Sequence, residues 1–143
     1  MKIFALTLLT MGLLTMAGCN QDTTHNVDLV NTYWKLTDIK GTAVTASDKQ
    51  REAHIVLNAE EQRVTGSDGC NRMMGGYTAL DGNKLQFTQM AGTRMACMEG
   101  AEQAQLISTS LAEVTAYKIT GDQLELHDAS GALVARFQAV ALQ

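Results

Sequence analysis

Proline is absent from the 143 residues, aromatic side chains make up only 5%, and a single tryptophan stands among them. The missing proline points to no function. The three cysteines, Cys19, Cys70 and Cys97, contain no C-x-x-C pair, which excludes the usual redox motif with its low thiolate pKa. Acidic and basic residues are interspersed without a run of like charge, and the net charge is −4; an acidic chain with no basic patch has no electrostatic footprint for nucleic acid. There is no internal repeat and no low-complexity tract. The G-x-S-x-G elbow, the glycine-rich phosphate loop and the H-E-x-x-H zinc motif are all missing. His25, His54 and His127 are scattered, and Glu60 and Glu61 are neighbours that cannot face each other across a cleft. Nucleophile, base and oxyanion donors do not converge, so the sequence predicts a protein that is not an enzyme and carries no cofactor and no metal.

Only one long apolar run exists, and it lies at the N-terminus. Lys2 precedes an uncharged stretch from Ile3 to Met16, closed by the small residues Ala17 and Gly18 before Cys19. It falls short of the roughly 20 apolar residues of a permanent spanning helix and has the charge, length and small-residue exit of a cleaved leader. The end of the run resembles the lipobox of bacterial lipoproteins, with Met16 where leucine is usual. That resemblance implies removal of residues 1–18 and acylation of Cys19. Each buried methylene contributes about 0.8 kcal/mol, so several chains on one residue give a stable membrane anchor. Asn20 rather than aspartate follows the cysteine, and the resemblance therefore implies sorting to the outer membrane. Loss of 18 of 143 residues leaves 125, and loss of Lys2 leaves 10 basic against 15 acidic residues, a net charge of −5. This is enough chain for one domain with a core.

With Cys19 assigned to lipid, Cys70 and Cys97 remain as an even pair, and in an oxidising compartment a disulfide is expected. Two separately buried thiols are the alternative. Met73, Met74, Met90, Met95 and Met98 share the same span. Thioether and thiolate are soft ligands that suit Cu(I), whereas flexible methionines also fill gaps in loop-rich cores. The second reading is preferred, because bonded cysteines cannot ligate.

Residues 19–30 are polar and aperiodic and read as a tether; residues 31–143 read as the domain. Tyr33 to Ile39 alternates as a strand, and Trp34 is its core anchor. His54–Leu57 and Arg63–Gly66 form a predicted hairpin, as do Tyr77–Leu80 and Lys84–Phe87 around Asp81-Gly82-Asn83. Ser67 to Gly76, with Gly69, Gly75 and Gly76, is predicted to be the most loop-like internal segment. Ala104, Ile107, Leu111 and Val114 recur at helical spacing over residues 100–114. Three short strands follow in a meander. The order is that of an α+β protein, mainly β: a strongly curved antiparallel sheet or incomplete β-barrel with one packed helix.

Trp34, Gly69-Cys70-Asn71, Gly76-Tyr77 and Thr93-Arg94-Met95-Ala96-Cys97 occur in an order and spacing that closely resemble the META domain, over Asn31 to Ala139. Within that family the resemblance is to the HslJ-like heat-shock lipoprotein branch. It implies an outer-membrane lipoprotein of the stress response, linked to antibiotic tolerance, with no established reaction. It also implies that the cysteine pair fastens the G-C-N turn to the T-R-M-A-C segment. The expected partners are the membrane, through the lipid anchor, and an envelope protein or a hydrophobic ligand, an acyl chain or a hydrophobic peptide, held between helix and sheet. Inhibition of a periplasmic hydrolase through a protruding Ser67–Gly76 loop is a further alternative.

Overall fold

The computed structural model describes residues 25–45 and 49–141; the leader and Cys19 lie outside them. Nine strands form one antiparallel sheet. They are β1 (Tyr33–Ile39), β2 (Thr42–Ala43), β3 (His54–Asn58), β4 (Arg63–Ser67), β5 (Arg72–Leu80), β6 (Lys84–Gly92), β7 (Ala116–Thr120), β8 (Gln123–His127) and β9 (Leu133–Val140). Between β6 and β7 stand the helix α1 (Ala101–Ser110) and one 3-10 turn, Leu111–Glu113. The order is β2-β1-β3-β4-β5-β6-β7-β8-β9, and β1 also pairs with β9 from Tyr33↔Val140 to Ile39↔Ala135. Hydrogen bonding therefore runs around a ring. This is the curved antiparallel sheet with one helix expected of the sequence.

Alternation explains the core. Trp34 and Leu36 point inward from β1, and a bulge between Leu36 and Asp38 shifts the parity so that Ile39 is buried in place of Asp38. Ile55 and Leu57, Val64, Met73 and Tyr77, Leu85 and Phe87, Leu124 and Leu126, and Val134 and Phe137 complete the interior from successive strands. Against it α1 lays Ala104 and Ile107, and the turn and its exit add Leu111 and Val114. Fully burying one such aliphatic or aromatic side chain contributes about 1.5–3 kcal/mol. Trp34 is fully buried, and its indole N–H donates to the Leu29 carbonyl at 2.9 Å.

Two segments differ from the sequence reading. Of Ser67–Gly76, only residues 68–71 make a turn; Arg72–Gly76 belong to β5. Gly69 does take a left-handed φ of 98°. Gly75 is there for a different reason: a Cβ would stand 2.9 Å from the Thr88 carbonyl, where β6 bulges at Gln89 with φ 50°. A close approach between strands, not a loop, requires that glycine. The stretch read as tether is docked from Asn26 onward. The Asn26 side chain accepts from the Gly121 N–H at 2.8 Å, the Val27 N–H donates to the Gly121 carbonyl at 2.9 Å, and Leu29 is buried. No helix among the described residues is long and apolar enough to cross a membrane.

Candidate functional site

The ring is weakest between β6 and β7, which meet at the single register pair Lys84↔Ala116. At the other end of β6, where it meets the start of β5, the structure gathers most of the motif residues. Asp68 organises them. One carboxylate oxygen accepts from the N–H groups of Cys70 (2.9 Å) and Asn71 (2.6 Å); the other accepts from the Asn71 amide (3.3 Å) and the Ser108 hydroxyl of α1 (3.0 Å). Ser67 caps the same turn by accepting from the Gly69 N–H at 3.1 Å. A short polar side chain bonded to the backbone two and three residues on is the usual way to fix such a turn.

Asn71 passes the order to the segment after β6. Its side-chain oxygen accepts from the Met95 N–H at 2.8 Å and from the Thr93 hydroxyl at 3.4 Å. Thr93 and Arg72 exchange two further bonds, at 3.0 and 3.1 Å. The sulfurs of Cys70 and Cys97 lie at disulfide distance, with Cα atoms 6.0 Å apart. Residues 93–99 thus form a strap held by Asn71, by the cysteine pair and, at its far end, by the Gln50 amide donating to the Glu99 carbonyl.

Between strap and helix lies a groove of about 480 Å³. Asn71, Gly92, Thr93, Arg94 and Met95 line one side; Ala101, Ala104, Gln105 and Ser108 line the other. A recess of about 220 Å³ opens on the opposite side of the cysteine pair, among Arg51, Gly69, Ala96 and Met98. Asn71, Thr93, Arg94, Met95 and Cys97 therefore come together at the groove, with Gly69, Cys70 and Ala96 behind them. Trp34 and Gly76-Tyr77 do not. Trp34 is core, and Tyr77 is buried, its hydroxyl donating to the Asn58 carbonyl at 3.0 Å; both are scaffold. The sequence reading missed Gln105 and Ser108. Their signal is the small-residue series Ala101, Ala104 and Ser108 along one face of α1, which leaves room for the groove.

The groove is lined by no histidine among the described residues, and its Ser108 hydroxyl donates to Asp68. Its carboxylate, Asp68, is buried and engaged by four donors, and its cation, Arg94, is exposed. His54 stacks on Tyr33 with ring centroids 4.5 Å apart, and His127 lies 3.5 Å from Glu125. The Tyr33 hydroxyl is pushed up to about 12 by burial, by its hydrogen bond to Glu52 and by the Glu52 charge. Glu52 is held low, foremost by the Lys35 ammonium at 2.6 Å. Among the described residues no three His, Cys, Asp or Glu side chains form a metal-holding group. Met73 is buried and Met90 packs at the edge of the core, as gap-filling predicts; Met74, Met95 and Met98 are exposed, Met98 at 97%. The space beneath α1, among Leu36, Ile55, Ile107 and Phe137, leaves no room even for water. The 68–71 turn is buried or half-buried and does not protrude.

A curved antiparallel ring with one helix packed against its interior and a strap tied beside that helix defines a class of small β-rich domain. The chain belongs to the META domain family, whose match spans residues 27–141. It is similar to a protein from Burkholderia xenovorans solved by NMR, at 28% identity over 80% of this chain and 85% of that one, with a TM-score of 0.61. A second NMR structure matches at 29% identity over 77% and 90%, with a TM-score of 0.60. A DUF4847 family protein from Bacteroides vulgatus shares the fold at 14% identity over 80% and 96%, with a TM-score of 0.56. No curated protein matches the chain.

Proposed function

We propose that this chain is a non-enzymatic lipoprotein of the bacterial outer membrane, anchored through Cys19, whose META domain is a binding module for an envelope component under stress. The groove between strap and α1 carries the reading. It is preformed, it collects the family's motif residues, and its cation, Arg94, which makes no ion pair among the described residues, suits recognition rather than bond cleavage. The leader and the small residues before Cys19 support the anchor, and the resemblance to the heat-shock branch supports the stress role. In the oxidising envelope Cys70 and Cys97 are bonded and hold the strap. The filled interior gives no support to an acyl carrier, and the buried 68–71 turn gives none to a hydrolase inhibitor.

The test is complementation of a deletion strain under heat or antibiotic stress. Arg94→Ala should weaken rescue with unchanged melting temperature, whereas His54→Ala and His127→Ala should rescue fully. Loss of rescue in a stably folded histidine variant would overturn the non-enzymatic reading. For the anchor, Cys19→Ser should release the protein from the membrane fraction, and retention as firm as the parent's would refute lipidation.

A further inference from the structure

We propose that the groove takes an extended peptide segment, which adds as a strand to the open edge of β6 and sets a carboxylate against Arg94. The inference rests on the reading of the domain as a binding module and names its partner class.

Backbone bonding is the first ground. β6 pairs with β5 from Lys84 to Gly92, yet on its other side it meets β7 only at Lys84↔Ala116, supplemented by Leu85 N–H to the Thr115 carbonyl and Tyr117 N–H to the Asn83 carbonyl. Beyond that point no strand pairs with its outer edge among the described residues, and Thr88, Gln89, Ala91 and Gly92 are exposed. An unpaired edge offers alternating donors and acceptors to any extended chain. The bulge at Gln89 turns the strand, so the usable edge is the short stretch from Met90 into Thr93, where it becomes the wall of the groove.

Shape is the second ground. Small residues on α1 keep the facing wall back from the volume of about 480 Å³, and Gly92 and Ser108, which line it, also line a recess of about 90 Å³ with Met73 and Met90. A strand laid on β6 presents every second side chain to one face, and one apolar side chain fits that recess.

Charge is the third. Asp68 and Arg94 are the charged side chains lining the groove. Four donors engage Asp68, whereas Arg94 is exposed and takes part in no ion pair among the described residues. Guanidinium binds carboxylate through two parallel hydrogen bonds. The carboxylate comes from a chain terminus or from an aspartate or glutamate side chain.

The experiment titrates the isotopically labelled mature chain with pentapeptides of alternating threonine and valine, followed by amide NMR. One probe has a free terminal carboxylate, a second is amidated and ends in aspartate, a third is amidated and neutral, and a fourth is the first with every backbone amide N-methylated, which blocks both edges of the strand. One or both carboxylate probes should bind at least about tenfold tighter than the neutral one, worth about 1.4 kcal/mol, and the tighter of the two identifies the source. Shifts should cluster on Met90–Arg94 and α1, N-methylation should abolish binding, and Arg94→Gln should erase the carboxylate preference. Undiminished binding of the N-methylated probe, a preference that survives Arg94→Gln, no binding at millimolar concentration, or occupation of the edge by a second copy of the chain would each overturn the proposal. Photo-crosslinking from Gln105 separates the two readings: an adduct in cells despite failed peptide binding removes the peptide and leaves the binding module.

Discussion

Asp68 sits where the turn, the strap and the helix meet, and both its oxygens are engaged. Hydrogen bonds to a buried charge contribute more than neutral ones, and their donors are left unpaired when it is removed. Asp68→Ala should lower stability by about 3 kcal/mol in urea unfolding, and Asp68→Asn, which keeps one acceptor oxygen, by about half of that. Ser110 is the opposite case. Its hydroxyl is fully buried with no partner among the described residues, so Ser110→Ala should be neutral or stabilising by up to about 1 kcal/mol. Tyr33 offers a test by pH. Its folded value, about 12, exceeds the ordinary 10.0 of the unfolded chain, so its contribution is complete below pH 10 and is lost as the pH rises toward 12. Ultraviolet titration should show one tyrosine moving down in Glu52→Gln, while Tyr77, raised by burial, stays put.

At the scale of elements, glycine placement governs how closely the strands approach. A Cβ on Gly66 would collide with the His54 carbonyl oxygen and stand 3.1 Å from the Ile55 Cα across β3 and β4, and backbone there has nowhere to move. Gly66→Ala should cost about 1–3 kcal/mol, which thermal unfolding would register. Both hairpins, α1 and the strands other than β2, the first half of β5 and the second half of β6 were legible in the sequence, because alternation, the Asp81-Gly82-Asn83 turn and the spacing of Ala104, Ile107 and Leu111 are local signals. Gly75 was misread because its cause lies on another strand, at Thr88 and Met90. Asn26 and Val27 were read as tether because their partner, Gly121, is far away in sequence. For the candidate site, motif resemblance marked Asn71, Thr93, Arg94 and Met95, whereas Gln105 and Ser108 look like any solvated helix face until the strap is set opposite them.

For the whole molecule, the ring of strands supplies a frame with one weakly paired seam at Lys84↔Ala116, and the strap follows the other end of β6. If the Cys70–Cys97 bond closes its loop of 27 residues, chain entropy gives about 3–4 kcal/mol. The double variant Cys70→Ser/Cys97→Ser should lose about that much, and periplasmic material should show no alkylatable thiol. On the proposed reading the scaffold displays the groove for recognition, as fixed frames commonly carry binding residues. The most direct test places a photo-reactive amino acid at Gln105, within the groove, and at the exposed Lys118 of β7, in the lipidated protein in stressed cells. A discrete adduct from position 105 that is missing from position 118 and lost with Arg94→Ala is the predicted result. No adduct from position 105, or equal labelling from both positions, would contradict the account.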